Sequence, residues 1–280
     1  LMQSIAEIYH ILKRCLHMSN DELHTIFLGW NEGRLKSYLV EITADIFTQT
    51  DDLSNKELID MILDTSKQNG TGQWTSQNAM DLYVPIPSID AAVSMRNLSS
   101  LKEERLAAQK HLGMHLVSLD GNHHKLIDWL EHALYFSMIT TYSQGMSLLQ
   151  KASKEYQYHL NLDTVASVWR GGCIIRSALL EDIFSAYSNE PTLPNLMLNK
   201  KLTLQLEACQ LGLRMAIKRG IETDTPIPVL MASLAYYDGY KSGLLPANLI
   251  QAQRDYFGAH TYERTDRSGT FHTHWNQKTK

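Results

Sequence analysis

Apolar residues recur at helical spacing along nearly the whole chain, and this periodicity constrains the fold more than any other feature. The longest periodic stretch, residues 123–150, carries apolar side chains on most of its faces, which predicts a central, buried helix. Further helices are predicted over residues 1–18, 174–188, 200–219, 225–241 and 244–258. No segment keeps the two-residue alternation of a half-buried strand. The sequence therefore predicts an all-α fold.

Three serines are each followed, three residues later, by a glutamate. These pairs are Ser19 with Glu22, Ser54 with Glu57, and Ser100 with Glu103. This is the pattern of a capping box, in which hydroxyl and carboxylate each satisfy a backbone amide at the start of a helix. Each pair therefore predicts that a helix begins directly after its serine.

Two short stretches, Phe27–Leu35 and Val165–Ile174, resemble each other around a tryptophan and a glycine. Trp30 and Trp169 lie 139 positions apart, and each stretch precedes an amphipathic helix. Duplication of an antiparallel helical bundle is the simple explanation, with chance similarity as the alternative for so short a match.

The character of the sequence changes near Gly243. We expect residues 1–242 to form one all-α domain, and residues 243–280 to form a last helix followed by an extended C-terminal tail. The tail is polar but contains aromatic residues, among them Phe271 and Trp275. Such a segment is either disordered or ordered by packing on another chain.

Charge and composition exclude several functional classes. The 280 residues are 44% hydrophobic and carry a formal net charge of −4, whereas a sequence-independent nucleic-acid binder needs a basic face. No apolar run approaches the roughly 20 residues of a membrane helix. Three widely spaced cysteines, Cys15, Cys173 and Cys209, are typical of reduced thiols in a cytoplasmic protein, and no spacing predicts a metal site. The chain is amphipathic from Leu1 with no cap before it, so we expect it to be part of a longer protein.

Three places contain residues that suit an anionic ligand. The first is the Gly70-Thr71-Gly72 turn, whose amides and hydroxyl could contact a phosphate, although such a turn is more often only a tight connection. The second is Arg96, at an apolar helix end, where a solvated or salt-bridged arginine is the default. The third combines Arg254, a forked cationic donor, with His260, whose proton is exchangeable near neutral pH.

These same stretches resemble the landmarks of a known family. The segment Gly70–Thr75 is similar to the GTGKWT of the decarboxylating 6-phosphogluconate dehydrogenases. The segments Leu98–Arg105, Tyr142–Gly145, Trp169–Ser177 and Leu245–Glu263 also look like that family, in the family's order. The likeness runs from Met2 to about Trp275 and covers only the family's C-terminal part, which is all-α and dimer-forming.

The resemblance implies a function. It implies oxidative decarboxylation of 6-phosphogluconate to ribulose 5-phosphate with NADP or NAD, in the pentose phosphate pathway, by a cytoplasmic homodimer that needs no metal. The substrate-binding residues implied by position are Arg96, Arg254, His260, Thr71 and Asn69, with Arg254 and His260 inserted into the partner's site. The family's catalytic lysine and glutamate and its coenzyme-binding domain lie upstream of the matched part, so the chain alone should be inactive.

This sequence departs from the family pattern at two positions. Asn69 and Gln73 stand where the family has lysines. A lost charge-assisted contact is worth about 1.5–3 kcal/mol, so phosphate recognition could be weaker or altered. Two alternatives therefore stay open, a non-catalytic dimerisation module and a related β-hydroxyacid dehydrogenase that acts on another sugar acid.

Overall fold

Helices account for most of the residues that the computed structural model describes, which are 1–67, 69–113 and 123–275. The first half contains α1 (Met2–His10), α2 (Asn20–Asn31), α3 (Tyr38–Ile46), α4 (Leu58–Met61), α5 (Thr71–Asp81), α6 (Pro87–Ser100) and α7 (Lys102–Leu112). The second half contains α8 (His123–Glu155), α9 (Leu162–Arg170), α10 (Leu179–Asn189), α11 (Lys200–Glu222), α12 (Pro228–Tyr240) and α13 (Ala247–Gly258). A π-helical turn, Ile11–Cys15, extends α1, and a short 3-10 turn, Leu196–Leu198, precedes α11. The all-α prediction is confirmed.

The central helix is α8, as its sequence predicts. All residues from Ala133 to Thr140 are buried, so this part of the helix is enclosed on every side. Its most extensive packing is against α11. At their crossing, a Cβ atom on Gly212 would overlap that of His132 and lie 3.0 Å from the Trp129 carbonyl oxygen. Only glycine allows the two backbones to approach so closely.

One of the three predicted capping boxes forms. The Ser19 hydroxyl accepts from the Glu22 amide at 3.3 Å, and the Glu22 carboxylate accepts from the Ser19 amide at 2.8 Å. The other two predictions are wrong, because Ser54 donates to the Asp51 carboxylate and Ser100 donates to a carbonyl of its own helix. A serine and a glutamate at this spacing are thus insufficient by themselves to form a capping box.

The structure confirms the duplication. Helices α2 and α3 pack together in the first half, and α9 and α10 pack together in the second. The loops between the paired helices meet in an antiparallel bridge, Ser37 opposite Ser177. The Tyr38 amide donates to the Arg176 carbonyl at 2.9 Å, and the Ala178 amide donates to the Lys36 carbonyl at 2.8 Å. Equivalent loops of the two repeats therefore bond to each other.

A second repeated signal lies in the loops before α6 and α12. Each loop contains Pro-Ile-Pro, at residues 85–87 and 226–228, and each helix begins at the second proline. Two residues before the first proline, Tyr83 (φ 56°) and Asp224 (φ 49°) both adopt left-handed backbone conformations. Agreement in sequence and in an uncommon backbone conformation makes chance similarity a poor explanation.

A side chain from each repeat also caps the start of a helix in the other repeat. The Gln144 side chain of α8 accepts from the Ser88 amide at the start of α6, at 3.0 Å. The Glu7 carboxylate of α1 accepts from the Val229 and Leu230 amides at the start of α12, at 2.9 and 3.0 Å. The first helix of each half, α1 or α8, thus satisfies amides that would otherwise be free at the N-terminus of α12 or α6 in the other half.

The chain divides into two compact units, Leu1–Tyr236 and Tyr237–Lys280. In the second unit, α13 is followed by a two-stranded antiparallel hairpin, β1 (Tyr262–Glu263) and β2 (Thr270–Phe271). The tail through residue 275 is therefore ordered by bonds within its own chain, which neither expectation for it included. Among the described residues no helix is both long and apolar enough to cross a membrane.

Candidate functional site

The glycine turn forms the start of α5. Gly70 adopts a left-handed conformation (φ 90°) that favours glycine, and Thr71 begins the helix. Within the described residues no side chain caps this end, which leaves its first-turn amides available there as donors. A helix N-terminus of this kind can bind an anion, because it is the positive end of the helix dipole.

The segment before this turn is fixed to the junction of α6 and α7. The Ser66 amide donates to the Ser99 hydroxyl at 2.9 Å. Asp64 pairs with Lys102 and, at 3.0 Å, with Arg105. These two bonds hold the pKa of Asp64 at about 2, well below its usual value. Arg105 also donates to the Ser99 carbonyl at 2.8 Å, so one cluster joins the loop to both helices.

Arg96 lies one helical turn before this junction. Its carbonyl accepts from the Ser99 hydroxyl at 2.7 Å, and its side chain is partly buried. Among the described residues no carboxylate forms an ion pair with the Arg96 guanidinium, so the salt-bridged alternative has no support there. Asn69 and Thr71 are exposed. The Ser66–Ser99 bond thus joins the two chain segments from which Arg96, Asn69 and Thr71 extend.

The second unit carries Arg254 and His260 at the end of α13. The helix ends at Gly258, and Ala259 (φ 50°) and Thr261 (φ 60°) both adopt left-handed conformations that reverse the chain. A Cβ on Gly258 would lie only 2.7 Å from the His260 ring, so this glycine makes room for the imidazole. The His260 ring therefore packs against Gly258, the residue at which the sequence indicated a helix break.

Gln251 connects the arginine and the histidine segment. Its side-chain oxygen Oε1 lies 3.5 Å from the Arg254 Nη1 atom. Its amide nitrogen donates to the His260 carbonyl at 3.5 Å and to the Thr261 carbonyl. A spacing of six would place the two side chains on different faces of a continuous helix, whereas here the chain reverses between Arg254 and Thr261.

One residue of this unit that the sequence analysis did not single out is Asp255. It is fully buried, and its carboxylate accepts hydrogen bonds from the Thr261 amide, His272 Nδ1, the Thr273 amide and Trp275 Nε1, at 2.8–3.0 Å. Burial disfavours the charged carboxylate, but the four donors outweigh this cost and hold the pKa of Asp255 well below its usual range. An acidic residue near a helix C-terminus opposes the helix dipole, and this was the available signal.

The remaining reactive side chains offer no rival centre. The three cysteines are free, and burial raises the pKa of the Cys209 thiol. In the described parts of the chain, no three histidine, cysteine, aspartate or glutamate side chains group as metal ligands would. Each of the two units instead carries its own group of anion-binding candidates.

A family model described as 6-phosphogluconate dehydrogenase, C-terminal domain, matches residues 1–275. The chain belongs to the 6-phosphogluconate dehydrogenase family. It is 50% identical over 275 residues to the "6-phosphogluconate dehydrogenase, NADP(+)-dependent, decarboxylating" of Bacillus subtilis, covering 98% of this chain and 59% of the relative. It is 49% identical over 277 residues to the decarboxylating 6-phosphogluconate dehydrogenase of Synechococcus elongatus, again covering 98% and 59%.

A solved structure supports the fold assignment. The 6-phosphogluconate dehydrogenase of Plasmodium falciparum, described in apo form and in complexes with NADP+ and 6-phosphogluconate, superposes with a TM-score of 0.95 at 43% identity. The match covers 98% of this chain and 59% of that one. The chain therefore corresponds to the C-terminal domain and spans less than two thirds of the relatives it matches.

Proposed function

We propose that this chain is the substrate-anchoring and dimer-forming part of an NADP-dependent 6-phosphogluconate dehydrogenase. The reaction converts 6-phospho-D-gluconate and NADP+ into D-ribulose 5-phosphate, CO2 and NADPH. The observation that carries this proposal is 50% identity over 98% of the chain to a relative named for that activity and that coenzyme. Use of NAD instead of NADP would leave the role of this chain unchanged.

The substrate carries a phosphate at one end and a carboxylate at the other. In this proposal Arg96, Arg254, Thr71 and Asn69 hold the phosphate, and His260 donates to or accepts from the sugar-acid hydroxyls. Guanidinium groups suit this role because they bind phosphate oxygens bidentately. Support comes from the open amides at the start of α5 and from the partly buried Arg96 guanidinium, which pairs with no carboxylate among the described residues.

The coenzyme supplies the hydride acceptor of the reaction. The described residues do not fit it, because no strand precedes the Gly70–Gly72 turn and a dinucleotide fingerprint needs strand, turn and helix in that order. We therefore assign no NADP contact, and no catalytic base or acid, to this chain. Its contribution is binding energy and orientation.

A homodimer follows from the same proposal, with residues 243–280 of each copy reaching into the partner's site. The α13 helix supports this, because Asp255 is its one buried residue while Leu249 (61%) and Phe257 (73%) are exposed. Apolar side chains so exposed on one short helix are typical of a surface that a second chain covers. Light-scattering mass in solution tests the dimer directly.

The three free cysteines agree with a cytoplasmic enzyme.

The activity is tested in a complete enzyme, made by joining the N-terminal part of the Bacillus subtilis relative ahead of Leu1. We expect NADP reduction and CO2 release with 6-phosphogluconate and none with gluconate, which lacks the phosphate. Arg254→Ala should raise KM for 6-phosphogluconate by roughly tenfold to a hundredfold, the equivalent of one charge-assisted contact. Arg267→Ala is the matched control, because Arg267 is an exposed arginine of the same tail that pairs with Asp266.

The neutral residues Asn69 and Gln73 favour the second candidate, a dimerisation module without a working phosphate pocket. A folded, dimeric fusion that never reduces NADP with 6-phosphogluconate would support that candidate and refute the first. Reduction with another phosphorylated or carboxylated sugar acid, but not with 6-phosphogluconate, would instead identify a related dehydrogenase.

A further inference from the structure

We propose that Asp255 is a positioning residue that fixes His260 beside the helix carrying Arg254. The inference rests on the proposed function, because it concerns how two substrate-binding side chains are held. Asp255 itself touches neither the reacting atoms nor the coenzyme in this proposal. Its role is exerted through the backbone that follows α13.

The first observation is the reach of the Asp255 carboxylate. Its four donors come from residues 261–275, so one buried side chain bonds both to the segment that leaves the helix and to the segment that follows the hairpin. A buried carboxylate is costly unless donors surround it, and here each oxygen accepts two hydrogen bonds. The hairpin is thereby closed back onto α13.

The second observation is the bond nearest the histidine. Asp255 accepts from the amide of Thr261, the residue directly after His260. Ala259 and Thr261 hold left-handed conformations that residues other than glycine rarely adopt unless their surroundings impose them. The carboxylate fixes the position of this amide, and the chain reversal that presents His260 depends on it.

The third observation connects this anchor to both binding side chains. The His260 ring lies over Gly258, where an added Cβ atom would be 2.7 Å from the ring. The ring also meets the Phe257 ring edge-on, with 6.0 Å between the two ring centroids. Gln251 joins the Arg254 guanidinium to the carbonyls of His260 and Thr261. Releasing Thr261 from Asp255 would therefore free His260 and remove the acceptors that orient Gln251.

The test uses the fused enzyme with Asp255→Asn. An asparagine keeps one acceptor oxygen but turns an NH2 group toward two donors, so half of the anchor is lost at nearly constant volume. We expect KM for 6-phosphogluconate to rise by about tenfold, while KM for NADP and the thermal midpoint stay near those of the parent. A loss of global structure would move all three quantities together.

Asp266→Asn is the matched control, since Asp266 is an exposed aspartate of the same tail whose carboxylate accepts from Arg264 and Arg267 in its own turn. Trp275→Phe removes one of the four donors to Asp255 and should raise KM for 6-phosphogluconate by about threefold. This variant tests the role of Asp255 if Asp255→Asn does not fold. An unchanged KM in the folded variants, beside an active parent that is sensitive to Arg254→Ala, would overturn this inference alone. An inactive parent would overturn the proposed function as well.

Discussion

Replacing Glu7 by glutamine should remove a large pH dependence from the stability of this chain. Glu7 is 1% exposed, and its carboxylate accepts from two amides at the start of α12. Burial raises the pKa of Glu7 from 4.5 to about 7, although the backbone hydrogen bonds from Val229 and Leu230 act in the opposite direction. The folded protein therefore holds the proton more tightly than the unfolded chain.

The sign and size follow from this difference in proton binding. Between pH 4.5 and about 7 the folded state keeps the Glu7 proton while the unfolded state has released it, so the free energy of unfolding falls as pH rises. At about 1.4 kcal/mol per pH unit the total loss is about 3 kcal/mol, most of which falls between pH 5 and 8. The loss begins about one pH unit below 4.5 and is complete about one unit above pH 7.

Denaturant unfolding of parent and Glu7→Gln at several pH values measures this quantity. The glutamine loses one acceptor, which lowers stability by about 1 kcal/mol at every pH, so only the change with pH is informative. We expect the parent to lose about 2–3 kcal/mol more than Glu7→Gln between pH 5 and 8.

The other repeat provides the converse control. Gln144 performs the equivalent capping with a neutral side chain, and Gln144→Glu should introduce the pH dependence that Glu7→Gln removes. Parallel curves for parent and Glu7→Gln would refute the reasoning, because they would show that the backbone donors and burial cancel.

Two further outcomes are expected. Gly212→Ala should lower the free energy of unfolding by about 1–3 kcal/mol, because the added methyl group would overlap α8. Gly145→Ala should raise it by about 0.5–1 kcal/mol, because no atom lies within 4 Å of the added methyl group. Denaturant unfolding measures both changes. Asn69→Lys in the fused enzyme should lower KM for 6-phosphogluconate by roughly threefold to tenfold by adding a cation to the phosphate site, and Asn69→Gln should not, as steady-state kinetics would show.

The sequence predicted most helices correctly because their apolar faces are periodic, and it failed where long-range contacts decide the backbone. The predicted helix at 174–188 begins only at Leu179, since Gly172 (φ 138°) and the bridge at Ser177 hold the preceding loop open. The partners of Glu7 lie more than two hundred residues away, and no local pattern announces them.

The candidate site was predicted unevenly for a similar reason. Arg96, Arg254 and His260 were predicted as site residues because charged and titratable residues stand out in apolar or aromatic stretches. Asp255 was not, because its importance depends on four donors that only the folded tail brings together. Side chains that bind can be found by their chemistry, whereas side chains that position require the fold.

The first unit's candidate site lies where the two repeats differ. Residues 47–86 and residues 190–227 occupy equivalent places, between α3 and α6 and between α10 and α12. In the second repeat, one continuous helix, α11, forms most of this stretch and packs against α8. The first repeat interrupts it with a loop and the left-handed Gly70, which creates a new helix N-terminus. The amides of a helix interior are bonded internally, whereas the first-turn amides at a helix N-terminus can bind an anion. Duplication thus supplies the scaffold, and the break at Gly70 in one copy supplies the helix N-terminus that we propose binds the phosphate.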